Sequence, residues 1–158
     1  MDTFFHMHSQ WMARALDAAR QAAGSGEVPV GAVLVHPDGR VFVDHNRAEQ
    51  LGSALEHAEM RVLRRALAAT RSRWLDEWVL YVTLEPCAMC AGAITLVRIP
   101  LVVIAARDPK TGAAGSVVDV LGNPRLPHRP VLVWGIGARE AEHLLQTFFQ
   151  RLRTPPET

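Results

Sequence analysis

Two short segments limit what this chain can fold into more than any other feature: His57-Ala58-Glu59 and Pro86-Cys87-Ala88-Met89-Cys90. Cys87 and Cys90 are the only two cysteines. In a cytosolic chain a Cys-x-x-Cys pair points to metal or redox chemistry more than to a structural disulfide. Zinc accepts imidazole nitrogen and thiolate sulfur, and a catalytic zinc uses three protein ligands plus water. His57, Cys87 and Cys90 supply that number. Cys87 and Cys90, spaced i, i+3, can point both sulfurs at one ion from the first turn of a helix, where the helix dipole favours thiolate. His57 stands at the start of another helix. The three converge if both helices begin side by side at one edge of a sheet.

The rest of the sequence supplies such a sheet. Met12, Ala15, Leu16, Ala19, Ala22 and Ala23 recur at helical spacing, and Gly24 and Gly26 end that helix. The apolar runs Val28–Val35 and Val41–Val43 flank His36-Pro37-Asp38-Gly39, which predicts a hairpin. A helix is expected from about residue 55 to 70, with Val62, Ala66 and Ala69 on one stripe. Trp78 to Leu84 reads as a strand, and Pro86 opens a short helix through about Val97. Leu101–Ala106 and Val131–Trp134 are further strands. The last helix places Ala141, Leu144, Leu145, Phe148 and Leu152 on one face. This order predicts an α/β fold: a three-layer α/β/α sandwich with a central mixed five-stranded sheet. Residues 1–153 read as a single domain and 154–158 as a disordered tail.

Glu59 completes the chemistry. Two residues past His57, it reaches the fourth coordination position without occupying it. Water on zinc ionises near neutrality rather than at a pKa of ~15.7, and a carboxylate there can take the proton and return it to a ring nitrogen and a leaving amine. A thioredoxin-like redox pair would lack the His-x-Glu partner. A closed structural zinc would want a fourth ligand, and His6, His8, His36, His45, His128 and His143 lack ligand-like spacing to the cysteines, so they read as surface or loop histidines. The paired pattern His-x-Glu and Pro-Cys-x-x-Cys is similar to the signature of zinc-dependent deaminases.

Composition adds bounds. The 158 residues are 49% hydrophobic and 21% charged, with a formal net charge of +1. That describes a folded domain with no global pull toward polyanions, although a local basic face remains open. No apolar run is long enough for a membrane helix, and the expected location is cytoplasmic.

The chain resembles the bacterial tRNA adenosine deaminases from about Trp11 to Leu152. The stretches that carry the likeness are Glu27 to Val35, Asn46-Arg47, His57-Ala58-Glu59, Leu80 to Ala93, and Arg107-Asp108-Pro109-Lys110-Thr111-Gly112-Ala113-Ala114-Gly115-Ser116. The last is the most particular to enzymes acting on tRNA. The resemblance implies a cytidine deaminase-like fold and conversion of the wobble adenosine of an anticodon to inosine. It implies zinc on His57, Cys87 and Cys90, with Glu59 as proton shuttle. It further implies substrate contacts from Val28, Pro29, Asn46, Ala58, Asp108 and Phe149, and a homodimer that binds the tRNA anticodon loop with both subunits. Asn46 and Asp108 also read as turn residues, and Phe148 reads as core. Arg61, Arg64 and Arg65 read as a solvated helix face. Three features depart from the family pattern: Ser53-Ala54-Leu55-Glu56 before the zinc histidine, where Glu56 puts an extra carboxylate near any phosphate path; Pro127-His128-Arg129 near the last strand, where the family has Asn-His-Arg; and the lack of a strongly basic tail. Gly52-Ser53-Ala54 and Ile99-Pro100 are similar to fungal cytosine deaminases, so a free nucleobase or nucleoside deaminase is the alternative. A non-catalytic zinc-bearing RNA-binding module would have no need of Glu59.

Overall fold

The structure, a computed structural model, describes residues 3–154. The elements run α1 (Thr3–Gly24), β1 (Gly31–Val35), β2 (Val41–His45), α2 (Ala48–Leu51), α3 (Ala58–Thr70), β3 (Val79–Leu84), α4 (Ala88–Leu96), β4 (Leu101–Ala106), β5 (Val131–Trp134) and α5 (Ala138–Arg153). The sheet order is β2-β1-β3-β4-β5. β1 is antiparallel to both β2 and β3, whereas β3, β4 and β5 are parallel. The expected mixed five-stranded sheet is therefore present.

Strand side chains alternate between two cores, as a period of two requires. Leu34, Leu80, Val82, Val102 and Ile104 pack with Val62, Leu63 and Ala66 of α3 and with Ala91 and Ile94 of α4. Val33, Tyr81, Val103 and Ala105 pack on the other face with Met12, Ala15 and Leu16 of α1 and Ala141 of α5. The central strands are covered on both sides and read accordingly as continuous apolar runs. α1 lies directly on the start of β1, where the Ala15 carbonyl and Ala19 nitrogen occupy the space a side chain at Gly31 would need.

One consequence of this topology governs function. Antiparallel pairing puts the start of β1 and the end of β2 beside the carboxyl end of β3, and parallel pairing adds the end of β4. Residues 28–30, 46–57, 85–90 and 107–116 thus leave the same sheet edge, where open α/β sheets bind ligands.

Several expectations need correction. The second long helix begins at Ala58 rather than near 55, with Leu63 buried and Ala69 exposed on its stripe. α2 was not anticipated. α4 begins at Ala88, after the cap residue Cys87, so Pro86 precedes the helix rather than opening it. Leu152 is exposed rather than on the packed face of α5. His8 and His45 are buried, not superficial. His8 Nδ1 lies 2.6 Å from the Tyr81 hydroxyl, and His45 Nδ1 lies 2.8 Å from the Asn46 carbonyl. Of the expected tail, Thr154 hydrogen-bonds back to the Gln150 carbonyl, and residues 155–158 lie outside the described residues.

Candidate active site

His57 and Cys87 occupy equivalent positions: each is the extended residue that caps a helix, α3 and α4 respectively. Neither side chain bonds its own helix end. Both are therefore free to turn toward each other, and Cys90, one turn into α4, joins them. His57 Nδ1 is 3.5 Å from Cys87 Sγ and 3.5 Å from Cys90 Sγ. All three donor atoms lie within 4.8 Å of one another. Tetrahedral zinc with ordinary Zn–N and Zn–S bonds separates nitrogen from sulfur by about 3.6 Å. The donor set fits that ion in chemistry and in spacing.

Electrostatics agree. The hydrogen bond from Cys90, with help from His57, brings the Cys87 thiol down to about 4. Cys87 in turn raises His57, and it also holds the Cys90 thiol above its usual range, together with burial. A divalent ion displaces the protons that His57 and Cys90 keep here. Glu59, on the first turn of α3, is buried, and burial pushes its carboxyl up to about 7. A group that both takes and returns a proton near neutrality works best at such a value.

These groups face a cavity of about 190 Å³ lined by Val28, Val30, Asn46, Ala58, Leu84 and Asp108 among others. Asn46 is one of the polar side chains of its wall, with Glu85, Asp108 and Thr111. Its Nδ2 points to Glu27 Oε2 at 3.5 Å, and its Oδ1 is buried without a hydrogen-bond partner. Val28, Asn46, Ala58 and Asp108 are thus brought together with the ligand set. Pro29 is not; it is buried and does not line the cavity, and Val30 takes that place. Phe149 lies outside as well, on a second cavity of about 460 Å³ with Arg107, Asp108, Lys110 and Arg153. The two cavities share Val28, Leu84, Asp108 and Thr111. Asp108 is both turn former and wall, since its carboxylate accepts from Lys110 N–H, Thr111 N–H and the Thr111 hydroxyl.

The arginines of α3 form the expected solvated face, with Arg64 and Arg65 exposed and Arg61 half-buried, but each is ion-paired. Arg61 pairs with Asp44 and Glu56, Arg64 with Glu56, and Arg65 with Asp44 and the Val43 carbonyl. Glu56 is consequently a neutralised partner rather than a free carboxylate on a phosphate path, and Arg64 and Arg61 hold its carboxyl below the usual range. Two buried carboxylates beside the site escaped the sequence reading. Glu27, fully buried, accepts the Gln50 N–H at 2.6 Å and the Glu49 N–H at 3.2 Å, which pins α2 beside Asn46. Glu85, also buried, accepts from the backbone of residues 108, 114 and 116. The signal for both was a lone acid at the margin of an apolar strand.

The cytidine and deoxycytidylate deaminase zinc-binding region matches residues 6–106. The tRNA-specific adenosine deaminase of Bacillus subtilis is 41% identical over 90% of this chain and 89% of its own length. That of Agrobacterium fabrum is 42% identical over 92% and 95%. A solved structure from work on A-to-I editing by tRNA:A34 deaminases at the wobble position superposes with a TM-score of 0.81 and 42% identity, covering 86% of this chain and 99% of the other. A guanine deaminase from Nitrosomonas europaea has the same fold, with a TM-score of 0.77 at 20% identity. With its ligand set, its buried glutamate and its five-stranded sheet all in place, the chain belongs to the zinc-binding cytidine and deoxycytidylate deaminase family, alongside the tRNA-specific adenosine deaminases that match it over nearly their whole length.

Proposed function

We propose that the protein hydrolyses adenosine to inosine at the wobble position of a tRNA anticodon. The observation that carries this reading is the pairing of a small open cavity with a wider one that carries basic residues. At about 190 Å³, the inner cavity is below the roughly 300–1,000 Å³ of ordinary small-ligand sites. It suits a single base taken out of its stack. The outer cavity offers Arg107, Lys110 and Arg153 to phosphates and Phe149 to a stacked neighbour. A free base would leave that second surface unused.

Zinc held by His57, Cys87 and Cys90 supplies an activated water when bound. The remaining work belongs to the chain. The Asn46 Oδ1, unpartnered in the cavity wall, accepts from the base edge and orients the ring. Glu59 passes one proton to the purine ring and then one to the departing amine, so that water and adenosine become inosine and ammonia. Val28, Ala58 and Leu84 exclude bulk water around the reacting carbon.

Leu96 is 72% exposed on α4, and the adjoining Ala88 and Gly92 leave that helix face open to a flat partner. We infer a homodimer through this face. Among the described residues no helix is long and apolar enough to cross a membrane, and free thiols at a metal site suit the reducing cytoplasm proposed as its location.

Incubating the zinc-loaded protein with an arginine tRNA transcript and sequencing for inosine tests the assignment. Inosine confined to the wobble position is expected. No inosine, together with ammonia release from free guanine or cytosine, would replace this reading with the free-base one, which the Ser53-Ala54-Leu55-Glu56 segment motivates.

A further inference from the structure

Glu85 follows β3, two residues before the first metal-ligand cysteine; it contributes to the wall of the inner cavity, and its carboxylate accepts hydrogen bonds from the loop after β4. Four donors converge on it. Oε1 accepts the Asp108 N–H at 3.1 Å and the Ser116 hydroxyl, and Oε2 accepts the Ala114 N–H at 2.9 Å and the Ser116 N–H at 3.1 Å. The residue is 2% exposed. Each oxygen accepts from two donors, so the carboxylate is filled without a proton of its own. Gly112 is packed so closely that a side-chain carbon there would collide with the carboxylate and with the Asp108 carbonyl. The loop is therefore wrapped around one ionised group that the sheet presents to it.

The loop needs such an anchor. Residues 107–116 contain no helix or strand that would fix them, and backbone donors in a buried segment must be satisfied somewhere. Asp108 and Thr111 of this loop line both cavities. The Asp108 carboxylate is spent on its own turn, so that turn is internally rigid. Its only hydrogen bond to the sheet end through a side chain, among the described residues, is the one from the Asp108 N–H to Glu85.

We propose that Glu85 is a positioning residue for substrate: through the Asp108 N–H it sets the height of the Asp108–Thr111 turn over the base cavity, independently of the metal. The proposal rests on the reading of Asp108 as a substrate contact. The chemistry of the carboxylate makes a selective test possible. In Glu85→Gln the side-chain amide can place its NH₂ where Oε1 was, because the Ser116 hydroxyl can reverse and accept from it. The carbonyl then stays with Ala114 and Ser116. Only the Asp108 N–H loses its acceptor.

Three measurements on the zinc-loaded full chain decide the matter. First, residue-resolved amide hydrogen exchange should show Asp108 losing protection in Glu85→Gln while Ala114 and Ser116 keep theirs. Uniform loss along the loop, or none at Asp108, overturns the proposal, and this readout needs no substrate. Second, Glu85→Gln should raise KM for tRNA about tenfold, as loss of one charge-assisted hydrogen bond allows, with kcat and zinc content retained. A fall in zinc content or in kcat alone would place Glu85 with the metal centre and overturn it. Third, the KM effects of Glu85→Gln and Asp108→Ala should not multiply, since one acts through the other. Multiplicative effects, or an Asp108→Ala variant with unchanged KM, overturn the coupling. Wild-type protein that makes no inosine would sink the tRNA assignment while leaving the hydrogen-exchange result to judge Glu85.

Discussion

Glu59 holds two properties that are hard to combine: it is buried, and it sits beside the imidazole and thiols of His57, Cys87 and Cys90 without belonging to their set. Glu59→Gln keeps the shape and removes the basicity. Zinc content should stay at one per chain by elemental analysis. Inosine formation should fall by about 10²–10⁴-fold, the usual share of general acid–base catalysis. Loss of zinc from this variant would contradict the role. All four residues were legible in the sequence because metal chemistry restricts both residue type and spacing. Glu85 and Glu27 were not, because their partners are backbone N–H groups far along the chain, and every residue but proline carries one. Asn46 stood between: an amide near a strand end was visible, whereas the direction of its Oδ1 depended on Glu27.

At the scale of elements, β2 and α3 are tied together by Asp44. Its side chain is 3% exposed and pairs with Arg47 at 2.7 Å and Arg61 at 3.1 Å, with Arg65 at 3.6 Å. Burial pushes the carboxyl up, but the His45 N–H and the Arg47 and Arg61 guanidinium groups prevail and hold it below the usual range. A depressed carboxyl stabilises the fold above its ordinary titration range, and that stability goes as pH falls through the lowered value. Asp44→Asn should therefore cost about 2 kcal/mol at neutral pH, as loss of charge-assisted hydrogen bonds to part-exposed guanidinium groups allows. It should also flatten the acid limb of a stability profile below about pH 4. A variant with the acid limb of wild type would assign acid unfolding to other carboxylates. The same scale shows where sequence patterns suffice. β4 and β5 were read to the residue, since buried parallel strands are unbroken apolar runs. α2 escaped because a one-turn helix has no periodicity of its own; Glu27, from another segment, supplies the acceptors for its first N–H groups. The start of α3 slipped by three residues because the chain before it is a turn closed by backbone bonds such as Arg47 N–H to the Glu56 carbonyl.

For the whole molecule, α1 and α5 cover the centre of one face of the sheet, whereas on the other face the outer side of α4 stays exposed at Leu96. Replacing Leu96 by aspartate puts a charge at the centre of the proposed contact. Leu96→Asp should sediment as a monomer, keep zinc, and lose activity on tRNA if both protomers touch the RNA. A dimer that survives the change would move the interface elsewhere. The two anchoring carboxylates have a consequence of another kind. Glu27 and Glu85 grip their loops chiefly by main-chain groups, which any sequence offers, and neither accepts a hydrogen bond from a metal ligand. The recognition loops are thus fastened by sockets largely indifferent to what is plugged into them. Apart from Asn46, Gly112 and Ser116, which fit those sockets themselves, a lineage or an engineer can exchange the loop side chains, and with them the molecule being read, while the reacting centre is inherited untouched.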